Sequence, residues 1–112
     1  MGFRRVAKIG ELPAGRGLCV TIDGVEVGLF RANGRVFAME NRCPHAGIPL
    51  SEGTLRGSVV TCRAHGWAFD LRTGHRPEDP DGFPIPCFAV KLEGEAILVD
   101  LDTSTNPPPR RR

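Results

Sequence analysis

The chain has 112 residues, with 15 Lys and Arg against 13 Asp and Glu and a formal charge of +2. Arg110, Arg111 and Arg112 account for three of the positives, so the remainder sits at about −1 and offers no field for nucleic acid. This length predicts one domain with a modest core, and no apolar run approaches the roughly 20 residues a membrane-spanning helix needs. Arg4-Arg5 invites a twin-arginine export reading, but Lys8, Glu11 and Arg16 interrupt the apolar stretch such a leader requires. Val6 occupies the place where a myristoylation signal wants Ser or Thr. The expectation is a cytoplasmic protein that binds neither membrane nor nucleic acid.

In chain order the pattern is all-β with frequent punctuation. Phe3 to Ile9 reads as a first strand. Leu18 to Ile22 and Val25 to Phe30 flank Asp23-Gly24, a two-residue hairpin signal, and Asn33-Gly34 repeats the device before Arg35 to Glu40. Leu55 to Thr61 and Trp67 to Leu71 are the next strands, with a turn at Thr73-Gly74. Residues 76 to 86 hold four of the ten prolines, too many for a helix or central strand. Cys87 to Glu93 and Ala96 to Leu101 form a closing hairpin around Gly94-Glu95, and residues 102–112 read as a disordered tail. No window shows a helical period over ten residues.

Between these strands lie two short segments rich in metal donors. The first is Cys43-Pro-His45-Ala-Gly; the second, with sixteen residues between His45 and its first cysteine, is Cys62-Arg-Ala-His65-Gly-Trp. Each offers one thiolate and one imidazole, and two such loops held together can supply four ligands to one centre. Structural zinc accepts the same donors, although zinc segments usually pair like with like, as C-x₂₋₄-C and H-x₃₋₅-H. Cys19 and Cys87 lie in apolar surroundings and read as small buried hydrophobes, although spacing alone leaves a bridge between them open.

Cys-x-His followed by Cys-x-x-His resembles the Rieske iron–sulfur family, over roughly residues 1 to 101. Gly47 and Pro49 after the first segment, and Gly66, Trp67, Phe69, Asp70 and Gly74 after the second, extend the likeness. The resemblance implies an all-β fold, a Rieske-type antiparallel β-sandwich over residues 1–101 with a small cluster-binding subdomain at about 41–70. It also implies one [2Fe–2S] cluster per chain, with Cys43 and Cys62 on one iron and His45 and His65 on the other. Two ferric ions, two sulfides and two thiolates sum formally to about zero, against about −2 for four cysteines, so mixed ligation eases the uptake of an electron.

The neighbours of the four residues carry further implications. Some members brace the two loops with a disulfide; the corresponding positions here are Ile48 and Ala64. High-potential members place a Ser directly after the second His-Gly and a Tyr two residues on, where this chain has Trp67 and Phe69 and contains no Tyr at all. Fewer hydrogen bonds to sulfur predict a potential near the low end of the family range, about −150 mV. Pro84-Ile85-Pro86 would fold over the cluster, Trp67 would shield it, and His75 would face solvent.

The resemblance implies no catalytic residue. Oxygenases of this kind need a second iron on two His and a carboxylate, and only His75 remains once four ligands are assigned. The expected role is that of a soluble one-electron carrier between a flavin- or NAD(P)H-linked reductase and a terminal oxygenase. Its rivals are a small subunit bound to the large subunit of an NAD(P)H-dependent nitrite reductase, and a zinc-stabilised interaction module without redox function.

Overall fold

A computed structural model of the chain describes residues 2–13, 15, 17–43, 47–64, 66–79, 82 and 84–105. Among these residues lie nine strands: β1 (Arg4–Lys8), β2 (Leu18–Ile22), β3 (Val25–Ala32), β4 (Arg35–Glu40), β5 (Thr54–Arg56), β6 (Val59–Thr61), β7 (Ala68–Asp70), β8 (Cys87–Glu93) and β9 (Ala96–Ser104). Short 3-10 turns occur at Ile9–Glu11 and Leu50–Glu52. Six strands form an antiparallel sheet in the order β1-β9-β8-β4-β3-β2, and β5-β6-β7 form a second, smaller one.

The two hairpin signals act as their chemistry requires. Asp23 and Gly24 both take positive φ, +51° and +82°, as do Asn33 and Gly34 at +54° and +75°. A two-residue turn with both central residues left-handed matches the twist of the strands it joins. One expectation needs correction: Leu55 to Thr61 is not a continuous strand but the β5–β6 hairpin, reversed at Gly57, whose φ is +58°. β9 also runs three residues beyond the boundary expected at Leu101, held by Thr103 Oγ1–H donating to Asp100 Oδ2 at 2.8 Å. Residues 106–112 lie outside the described residues.

Alternation sorts the large sheet's side chains into two apolar clusters, one on each face. Val27 and Leu29 of β3 and Ala38 of β4 point into a cluster with Ile22, Ile97 and Val99. Phe30, Ala32 and Met39 point the other way, against Leu50, Val60, Phe69, Leu71 and Ile85. β3 is therefore covered on both faces, which is why Val27 to Phe30 reads as a run of buried residues rather than alternating ones. Each fully buried large side chain, such as Phe30 or Leu29, contributes about 1.5–3 kcal/mol relative to exposure. The second cluster joins the two sheets and contains Cys43, Cys62 and Cys87.

Candidate metal centre

Cys43 lies in the loop that leaves β4, and Cys62 in the loop between β6 and β7; the main chain treats them alike. Cys43 N–H donates to Ile48 O at 2.8 Å, and Gly47 N–H donates back to Cys43 O at 2.6 Å. Cys62 N–H donates to Trp67 O at 2.7 Å, and Gly66 N–H donates to Cys62 O at 3.1 Å. In each loop the carbonyl five residues on and the amide four residues on close a ring around the cysteine. Gly47 and Gly66 stand at the fourth position with φ of +69° and +73°, a conformation that costs a residue with a Cβ about 1–2 kcal/mol.

Both thiols are buried, Cys43 at 0% and Cys62 at 1% exposure, within one apolar cluster that also holds Phe69, Leu71 and Ile85. No disulfide joins any of the four cysteines. Paired buried sulfurs in equivalent turns, shielded from water and not oxidised to each other, suit a thiolate-ligated iron. His45 and His65 lie outside the described residues.

The surroundings of the second loop are held by charge and stacking. Trp67 packs on the apolar cluster, and the guanidinium of Arg76 lies 3.9 Å above its ring centroid, with Arg76 Nη2 donating to Glu78 at 3.0 Å. Ile85 is buried beside the cysteines, and its N–H donates to Gly74 O at 2.9 Å, so Pro84-Ile85-Pro86 is tied down beside this region. Asp70 receives Arg72 Nε and Nη2 at 3.1 and 2.9 Å. The Arg72 side-chain hydrogen bonds hold the Asp70 carboxyl below its ordinary range, and Asp70 in turn raises the Arg72 guanidinium. Burial, with the Asp70 charge adding to it, pushes the Cys87 thiol up to about 12.

Two side-chain expectations need correction. Cys19 is exposed on β2, whose outer position faces solvent because β2 is an edge of the sheet. His75 is half-buried rather than exposed, since its carbonyl accepts Asp70 N–H at 2.8 Å and draws the residue against the β7 end. Asn41, Ser51 and Arg76 are the site residues that sequence reasoning missed. Each is an ordinary polar loop residue by type, and only the fold reveals that Asn41 and Ser51 are buried together.

The family model of the Rieske [2Fe–2S] domain matches residues 3–89. The chain belongs to the Rieske [2Fe–2S] family. It carries one [2Fe–2S] cluster, which removes the zinc reading. The ferredoxin subunit of biphenyl dioxygenase from Pseudomonas sp. (strain KKS102) is 36% identical over 101 residues, covering 89% of this chain and 93% of the relative. Among solved structures, the ferredoxin of carbazole 1,9a-dioxygenase from Nocardioides aromaticivorans IC177 superposes with a TM-score of 0.78 at 33% identity, covering 88% of this chain and 97% of the other. A complex of reduced oxygenase and oxidized ferredoxin in carbazole 1,9a-dioxygenase gives a TM-score of 0.76 at 30% identity, covering 87% of this chain and 91% of that one. Like these Rieske ferredoxins, the chain is an electron carrier rather than a catalyst.

Proposed function

We propose that the chain is the ferredoxin component of a ring-hydroxylating dioxygenase system in the cytoplasm. It accepts single electrons from a flavin- or NAD(P)H-linked reductase and delivers them to a terminal oxygenase. The observation that carries this reading is the pair of buried cysteines in equivalent turns, in a chain whose relatives are named as dioxygenase ferredoxins. Cys43 and Cys62 hold one iron; His45 and His65 hold the other and form the exit for the electron. The functional unit is a Rieske domain that runs to the end of β9 at Ser104, with a cluster-binding subdomain at about 41–70 and a short C-terminal tail after it.

The cluster supplies a one-electron couple. The protein's own part is to bind it, to keep its geometry fixed and to exclude water from the sulfur side. Cys43 and Cys62 supply anionic sulfur from an apolar interior, where Phe69, Leu71 and Ile85 exclude water. Among the described residues no helix is long and apolar enough to cross a membrane.

Purified holoprotein should contain two irons and two sulfides per chain, and after dithionite reduction should give the EPR signature of Cys₂His₂ rather than Cys₄ ligation. His45→Ala and His65→Ala should each lose the colour and the EPR signal; retention of a reducible centre in either would sink the ligand assignment. A matching reductase should support reduction of cytochrome c by the isolated chain. The names of the relatives favour this reading over a nitrite reductase small subunit, and stoichiometric copurification with a large reductase subunit would reverse that preference.

A further inference from the structure

The two cysteine loops share one hydrogen-bonded frame, but their bases are closed differently. The second is closed by main chain: Thr61 pairs with Ala68 in the β6–β7 ladder on either side of it. Among the described residues the first has no such rung between its ends. Its base is closed by a side chain, as Asn41 Nδ2–H donates to Ser51 Oγ at 2.9 Å and Asn41 Oδ1 accepts Ser51 N–H at 2.7 Å. Asn41 is 2% exposed and Ser51 7%, so an amide and a hydroxyl are satisfied out of water by each other.

We propose that Asn41 is a positioning residue for the [2Fe–2S] centre. Its amide, clamped on Ser51, sets the position of Cys43 relative to Cys62, as the Thr61–Ala68 rung does for the second loop. The clamp is anchored at both ends: Asn41 N–H donates to Glu26 O at 2.9 Å, and Ser51 O accepts Gly17 N–H at 3.2 Å. Gly28 leaves the room it needs, since a Cβ there would stand 3.0 Å from Asn41 Oδ1 and closer still to the Phe30 ring. Two residues past Ser51, Gly53 lies so close to the Thr61 carbonyl that a Cβ would overlap it. The exit of the first loop is thus in backbone contact with the strand that delivers Cys62. Asn41 adds the entrance of the first loop to the same rigid frame.

This inference rests on Cys43 being a ligand, so Cys43→Ala holoprotein is the first control: if it kept its centre, the ligand reading would fail before the clamp was tested. The clamp is then tested with Asn41→Leu, Ser51→Ala and the double variant, each purified with its cluster. Bleaching of the visible band by an iron chelator should be about tenfold faster in Asn41→Leu, since a buried hydrogen-bonded group left without its partner shifts a local equilibrium by that order. Ser51→Ala should lie between it and wild type. The double variant should bleach no faster than Asn41→Leu within a factor of two, because the pair acts as one unit. The reduced EPR lines should broaden in all three variants. Rates and linewidths within twofold of wild type in the single variants would overturn the proposal, as would a double variant whose effect is the product of the singles. If Asn41→Leu does not fold, Ser51→Ala decides alone by the same readouts.

Discussion

Phe69 fills, with a ring and no hydroxyl, the place where high-potential Rieske proteins have a Tyr, and the ring is buried at 2% exposure. Phe69→Tyr should raise the reduction potential from its expected value of about −150 mV. A hydrogen bond about 1 kcal/mol stronger in the reduced state moves a one-electron couple by about 40 mV. A potentiometric titration checks this; an unchanged or lower potential would mean that the hydroxyl finds another partner. At this scale the sequence was informative wherever chemistry names the residue. Cys43, Cys62, Gly47 and Gly66 could be picked out from type and spacing alone. Asn41 and Ser51 could not, because an Asn two residues before a Cys and a Ser after a Leu look like any turn-formers until burial makes their pairing costly to lose. Cys19 shows the converse, as apolar neighbours in sequence do not bury a side chain on the outer face of an edge strand.

Elements were legible where the turn is local. Asp23-Gly24 and Asn33-Gly34 fixed two hairpins, and the registers Ile22↔Val25 and Ala32↔Arg35 are those that two-residue turns dictate. The β5–β6 hairpin was not legible, because a lone Gly57 inside an extended run signals a bulge as readily as a reversal. The junction between the two loops makes the sharpest test at this scale. Gly53 has an ordinary negative φ of −82°, so its need for a hydrogen side chain is purely one of space. The atom it would strike is backbone, which cannot swing aside. Gly53→Ala should therefore destabilise the protein by about 1–3 kcal/mol. For a domain of this size that lowers the melting temperature by roughly 4–8 °C per kcal/mol. A thermal melt followed by circular dichroism reads it directly, and an unshifted midpoint would mean that the 3-10 turn at Leu50–Glu52 can slide away.

For the whole molecule, class and composition were readable and strand order was not. Pairings such as Arg4↔Val99 join residues at opposite ends of the chain, and no local pattern encodes them. The double coverage of β3 is equally a product of assembly, since the small sheet closes over the face that carries Phe30 and Met39. Cys87 sits in that closed layer, its thiol raised to about 12 from an ordinary 9.0 by burial and by Asp70. A thiol whose pKa is higher in the folded than in the unfolded state stabilises fully below the unfolded value. That stability is lost as pH rises between the two. Global stability should therefore fall above about pH 9, by about 1.4 kcal/mol per pH unit while only the unfolded thiol ionises. Urea titrations at pH 8 and pH 10 should show the drop, and Cys87→Ala should flatten it; a profile equally steep in that variant would assign the loss to other groups.

The pairing of β1 with β9 has a topological corollary. The first and last strands are neighbours in one ladder, with Arg4 opposite Val99. A circular permutant, sealed there by a short linker and reopened at the solvent-facing Asp23-Gly24 reversal, would retain every rung but the order in which they are synthesised.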